Sequence, residues 1–168
     1  MRNVKIILPI LLCALLPTNG LGADTWIVRE DGVGPVKIGM TLAKLKVALQ
    51  GKVSVDDIGA ENCFYAHPLG HEAVAFMIID RRLVRVDVDA SGVKTSTGIE
   101  VGDSEAHVRQ VYGTRMRVTH NPYIDTGHLL TVSFGSSRGS IRFVTDGRKI
   151  TAIYAGTYQA IQYVEGCE

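Results

Sequence analysis

The chain has 168 residues, 46% of them hydrophobic and 21% charged, with a formal net charge of +1. That length suits one domain or two intimately packed half-domains. The near-neutral balance, with basic pairs such as Arg81-Arg82 merely scattered, excludes the phosphate-neutralising surface on which nucleic-acid binding rests.

The first residues read as a secretion address. Arg2 and Lys5 precede an apolar run from Ile6 to Leu16, and Pro17, Gly20, Gly22 and Ala23 follow. This is the order of a signal peptide, predicted over 1–23 with cleavage after Gly22 or Ala23. The run is shorter than the about 20 apolar residues of a permanent span, so no integral membrane segment is expected after processing. Leu12 directly before Cys13 is too bulky for lipoprotein processing. Removal takes two cations and no acid: 18 basic residues become 16 against 17 acidic, and the charge moves from +1 to −1. The expected location is periplasmic or secreted. Cys13 leaves with the leader, so Cys63 and Cys167 remain and are expected to form a disulfide in an oxidising compartment.

Two words recur along the mature chain. Val36-Lys37-Ile38-Gly39-Met40-Thr41-Leu42-Ala43-Lys44-Leu45 returns as Ile99-Glu100-Val101-Gly102-Asp103-Ser104-Glu105-Ala106-His107-Val108, offset by 63. Ile79 to Val84 falls on Thr145 to Ile150, offset by 66. Two stretches at nearly one offset mark a duplicated unit. The expected organisation is a first repeat over 24–90, a small-residue linker over 91–98 and a second repeat over 99–168.

In the first repeat Thr41 is a helix N-cap, Leu42, Leu45 and Leu49 share one helical face, and Gly51 is a C-cap residue. Ala73 to Ile79 and Leu83 to Val88 then read as a hairpin turning at Asp80-Arg81-Arg82. Val84, Val86 and Val88 are expected on one face, opposite Arg85 and Asp87. In the second repeat Ser104 or Asp103 caps a helix that Gly113 stops. Strands follow around Met116 to Val118, Leu130 to Phe134 and Ile141 to Val144, and Asp146-Gly147 turns into Ile150 to Tyr154. Gly135 to Gly139 is a flexible turn, and Ala160 to Val164 is expected as a last edge strand. The predicted class is α+β, with two tandem helix-plus-antiparallel-sheet repeats packed as one compact unit.

The chemistry is less specific. His67 and His71 are separated by Pro68-Leu69-Gly70, which opposes a helix, and His71-Glu72 lacks the second histidine of a zinc-protease motif. His107 reads as a solvent-facing helical residue. His120, Asp125 and His128 flank one loop and make a zinc site conceivable, though loops carry such residues routinely. Ser133 to Ser140 lacks a nucleophile elbow, and Gly32-Val33-Gly34-Pro35 lacks the lysine of a phosphate loop. Asp87 and Asp89 are expected on a solvated sheet face. No catalytic residue, metal or cofactor is assigned. The loop aromatics are the better candidates, since they bury much area with few rotors. Tyr65, His67, Tyr123, Asp125 and His128 are the predicted partner-binding residues, while Phe64 is as readily explained as core beside the disulfide.

Ile38-Gly39-Met40-Thr41 with Leu45, and Val101-Gly102-Asp103-Ser104 with Val108 and Tyr112-Gly113, resemble the repeat of the β-lactamase inhibitor protein family and the related SmpA/OmlA-type outer-membrane assembly lipoproteins. The resemblance implies two side-by-side sheets presenting a concave surface that grips another protein. The chain departs from it in having one cysteine pair spanning the halves, where the inhibitors have a bridge within each, and in lacking the lipid-attachment cysteine. The expectation is an exported, non-catalytic protein-binding module, an inhibitor or immunity protein acting on an envelope or secreted enzyme. The alternatives are an envelope-assembly or cell-wall-associated scaffold and a small metal-dependent hydrolase using His120, Asp125 and His128.

Overall fold

The computed structural model describes residues 26–56, 62–135 and 139–167, so the predicted leader and the middle of the Gly135–Gly139 turn lie outside the described residues. In chain order the elements are β1 (Ile27–Arg29), β2 (Gly32–Val33), β3 (Val36–Lys37), α1 (Leu42–Ala48), β4 (Val53–Val55), β5 (Cys63–Pro68), β6 (Val74–Ile79) and β7 (Arg82–Val88). There follow β8 (Lys94–Thr95), α2 (Glu105–Tyr112), β9 (Met116–His120), β10 (His128–Ser133), β11 (Ser140–Thr145) and β12 (Ile150–Gly156). Short 3-10 turns occupy Gly113–Arg115 and Ala160–Gln162.

The chain is mostly β, and the predicted α+β pair of helix-plus-sheet repeats does not hold. The two α-helices among the described residues have only seven and eight residues, against twelve strands. The strands of the two halves do not form separate sheets. They join in one eight-stranded antiparallel sheet of order β4-β5-β6-β7-β12-β11-β10-β9. The seam is β7 with β12, where Val88, Asp87, Val86 and Arg85 pair with Ile153, Tyr154, Ala155 and Gly156. A second sheet of order β3-β2-β1-β8 was not anticipated, and its β8 lies in the segment read as a linker, running parallel to β1. The physical reason is edge satisfaction: a strand whose backbone groups are free on one side pairs with whatever edge the fold brings alongside.

The duplicated words nevertheless build matching turns. Gly39 donates its N–H to the Leu83 carbonyl at 2.7 Å, and Gly102 donates to the Ile150 carbonyl at 2.9 Å. Leu83 and Ile150 return bonds of 2.8 and 2.9 Å to the carbonyls of Met40 and Asp103. Both glycines have positive φ, 86° and 96°, where a side chain is disfavoured. Two residues beyond each glycine, Thr41 caps α1 by accepting from the Lys44 N–H, and Ser104 caps α2 from the His107 N–H. The β6–β7 hairpin turns on Asp80 and Arg81, both at positive φ, which suits a tight two-residue turn.

The eight-stranded sheet has an apolar face and a polar face. Phe76, Ile78, Leu83, Val86, Phe143 and Ile153 share one cluster with Leu45 of α1, Val108 of α2 and Val28 and Val33 of the small sheet. A bulge at the β6–β7 pairing brings Leu83, and not the predicted Val84, into line with Val86 and Val88 on this face. Cys63, Tyr65, Met77, Arg85, Asp87, Tyr154, Arg142 and Thr131 alternate with these residues and so belong to the other face.

Candidate functional site

The polar face is covered at its centre by the chain's own C-terminus. Beyond β12, Thr157 accepts from the Ala160 N–H at 3.2 Å and starts the 3-10 turn, burying Ala160 and Ile161. This replaces the edge strand predicted over Ala160–Val164. An apolar alternation of that length reads the same for a strand and for a short turn lying on a sheet. Residues 163–167 then continue to β5, where Cys167 is bonded to Cys63 with Cα atoms 5.4 Å apart. The predicted disulfide is present, and its fastening of the C-terminus is of the kind that persists in an oxidising compartment.

Arg85 organises this layer. It is 1% exposed and uses all five of its N–H donors. Nε and Nη2 reach the two Asp87 carboxylate oxygens at 2.6 and 2.8 Å, and Nη2 also reaches the Tyr65 hydroxyl at 2.8 Å. Nη1 donates to the carbonyls of Ala160 at 3.0 Å and Tyr163 at 2.5 Å, so the tail is gripped through its backbone. The Tyr154 ring lies 4.3 Å beneath the guanidinium, within cation–π range. Burial pulls Arg85 down, but its bond to Asp87 and the surrounding negative charge outweigh that and leave it above its ordinary value. Burial raises Asp87 above the usual carboxylate range despite Arg85. It raises the Tyr65 hydroxyl as well, with the Asp87 charge acting in the same direction. Asp87 is therefore a buried ion-pair member, and not part of the solvated acidic strip predicted for Asp87 and Asp89; only Asp89 is exposed.

Arg142 repeats the theme with neutral partners. It is 5% exposed, donates to Thr131 Oγ1 at 3.1 Å, and also bonds Gln162 in the tail. Burial holds it below its ordinary value.

The predicted binding residues divide between the two faces. Tyr65 is part of the Arg85 network, and Gly166 of the tail packs close against its hydroxyl. His67 stands beside it on β5, its ring 6.3 Å away, with Nε2 3.1 Å from Asp56. Tyr123 lies in the β9–β10 loop, 61% exposed, and its hydroxyl donates to Glu165 of the tail. Tyr123 and Tyr163 line one cleft of about 380 Å³ with residues 162–166. Asp125 offers its carbonyl to His120 Nε2 at 3.0 Å, a bond between exposed residues at that loop.

His128 is on the other side. Its Nδ1 lies 2.9 Å from Glu105, which also accepts from Thr145 at 2.5 Å and from Arg109. Burial pushes Glu105 up, but the bonds from Thr145, Arg109 and His128 more than reverse this and hold it below the usual carboxylate range. His120 and His128 face each other across β9 and β10, yet no group of three His, Cys, Asp or Glu side chains suited to a metal occurs among the described residues. Sequence reasoning did not single out Arg85, Arg142 or Glu105. Arg85 and Asp87 are legible as polar-face residues, but no local pattern tells that a segment 75 residues later covers them.

No family model matches the chain, and neither does any curated protein. Among solved structures it is similar to an extracellular protein containing a SCP domain from Bacillus anthracis str. Ames, at 12% identity and a TM-score of 0.51, over 74% of this chain and 45% of that one. The chain thus spans less than half the length of that protein, and at this identity the likeness is one of fold alone. The uncharacterized protein yfeY of Escherichia coli is similar at 13% identity and a TM-score of 0.44, over 77% of this chain and 99% of that one.

Proposed function

We propose that the protein is an exported, non-catalytic binding module that holds a partner protein, an enzyme restrained by the contact, on the ledge formed by Tyr123 and the C-terminal tail. The observation that carries this reading is the cleft between Tyr123 and Tyr163. These tyrosines are 61% and 42% exposed, yet Tyr163 belongs to, and Tyr123 is hydrogen-bonded to, a tail fixed from below by Arg85 and at its end by Cys63–Cys167. Rigidly presented tyrosines offer large contact area at small entropic cost, the property that recognition surfaces use. The leader-like start and the disulfide support export to the periplasm or beyond. The likeness of the turn-helix words to the β-lactamase inhibitor protein family supports an enzyme as the partner.

The test is affinity capture from an envelope extract with the oxidised protein, beside a Tyr123→Ala/Tyr163→Ala double variant. One retained enzyme is expected, lost with the double variant and slowed when the protein is added to it. Equal capture by the double variant would remove this surface. A retained set of outer-membrane proteins, none an enzyme losing activity, would move the weight to an assembly scaffold.

A further inference from the structure

On the opposite side of the sheet from the tail, the two turn-helix words differ in a way their shared scaffold does not require. Setting Gly39 on Gly102 places Met40, Leu42 and Val47 against Asp103, Glu105 and Gln110. Both words make the same turn bonds and carry a side-chain cap, and Met40 and Leu42 pack partly against the core, so Val47 is the apolar residue here that the element does not need. Val47 is 79% exposed, and Met40, Ala43, Lys44, Val47 and Ala48 line an open depression of about 440 Å³. A second depression of about 430 Å³ begins at Ala43 and includes Leu42, Phe64 and Arg81.

The charges differ in the same sense. In α2, Glu105 occupies the first turn and pairs with Arg109 at 2.5 Å, while His107 lies 3.8 Å from Asp103. The first turn of α1 has no acid and carries Lys44, a placement the helix dipole disfavours. Lys44, Lys46 and Arg81 are exposed and form no ion pair among the described residues. An apolar patch rimmed by cations that make no ion pair among the described residues answers acids flanking apolar side chains. Two copies of this chain would bring like charges together.

We infer that the α1 face is a second docking surface, whose partner is a protein segment presenting two apolar side chains flanked by Asp or Glu. The test is selection from a random peptide library on the full oxidised protein, counter-selected against a Val47→Gln/Lys44→Gln variant, which installs at Val47 the residue type of α2. The variant's unchanged thermal melting and circular dichroism would show that it folds. Enriched peptides should carry apolar pairs beside acids and bind the variant about tenfold more weakly or worse. Their cross-peaks should map to residues 40–48 and 81. No enrichment, enrichment without acidic bias, or equal binding to the variant would overturn the inference. Sedimentation with phosphatidylglycerol vesicles that the variant loses would overturn it too, in favour of a membrane surface. Tyr123→Ala/Tyr163→Ala should leave peptide binding unchanged, which separates this surface from the tail ledge.

Discussion

Arg85 holds Asp87, two residues along the same strand, by two hydrogen bonds of 2.6 and 2.8 Å while both lie beneath the tail. Removing one partner of a buried pair leaves the other charge uncompensated, a loss of about 3–5 kcal/mol. Arg85→Met should therefore lower unfolding free energy by about that amount in urea denaturation of the oxidised protein. It should also release the tail, seen as faster amide exchange over residues 160–167. A loss below about 1 kcal/mol would mean that the network contributes little.

The disulfide closes a loop between residues 104 apart. For a loop near that length the chain-entropy model gives about 4.7 kcal/mol, and measured values commonly fall at about 2–4. Cys63→Ser/Cys167→Ser should lose stability in that range and become susceptible to carboxypeptidase at residues 163–167, with the eight-stranded sheet retained by circular dichroism. A resistant tail would show that Arg85 and Arg142 suffice to hold it.

Glu105 carries an acid-dependent share of stability. Its folded carboxyl sits below its ordinary value, so the stabilisation is present above the unfolded carboxylate range and disappears as pH falls through the folded value. Glu105→Gln should cost about 1–3 kcal/mol near neutral pH, and the gap to the parent should narrow as pH falls below the ordinary carboxylate range. Asp87 acts with the opposite sign, since its folded carboxyl is raised; its stabilisation is lost as pH rises. The difference between parent and variant across pH is thus the informative measurement. A gap constant from pH 3 to 7 would exclude the Glu105 assignment.

Gly39 and Gly102 offer a clean backbone comparison. A Cβ at either would meet nothing within 4 Å, so only positive φ opposes a side chain. Alanine at each should cost about 1 kcal/mol, equally in both halves. A markedly larger loss at one would show that the matching turns are not energetically equivalent.

Features that depend on neighbours a few positions away were legible in the chain. Thr41 and Ser104 as caps, glycine where φ must be positive, the Asp80-Arg81 reversal and the alternation of β7 outside its bulge all follow from local sterics and hydrogen-bond geometry. The disulfide was also legible, because the predicted loss of Cys13 with the leader leaves Cys63 and Cys167 a single pairing. The pairing of β7 with β12, which turns two expected modules into one β-rich sheet, emerges in the folded chain alone. Tertiary folding also laid Ala160–Gln162 across the polar face, converting Arg85 and Asp87 from solvated residues into a buried pair and bringing Tyr123 to Glu165. Edge pairing and tail placement are selected by whole-fold burial and backbone satisfaction, and those quantities are not written in any short window of sequence.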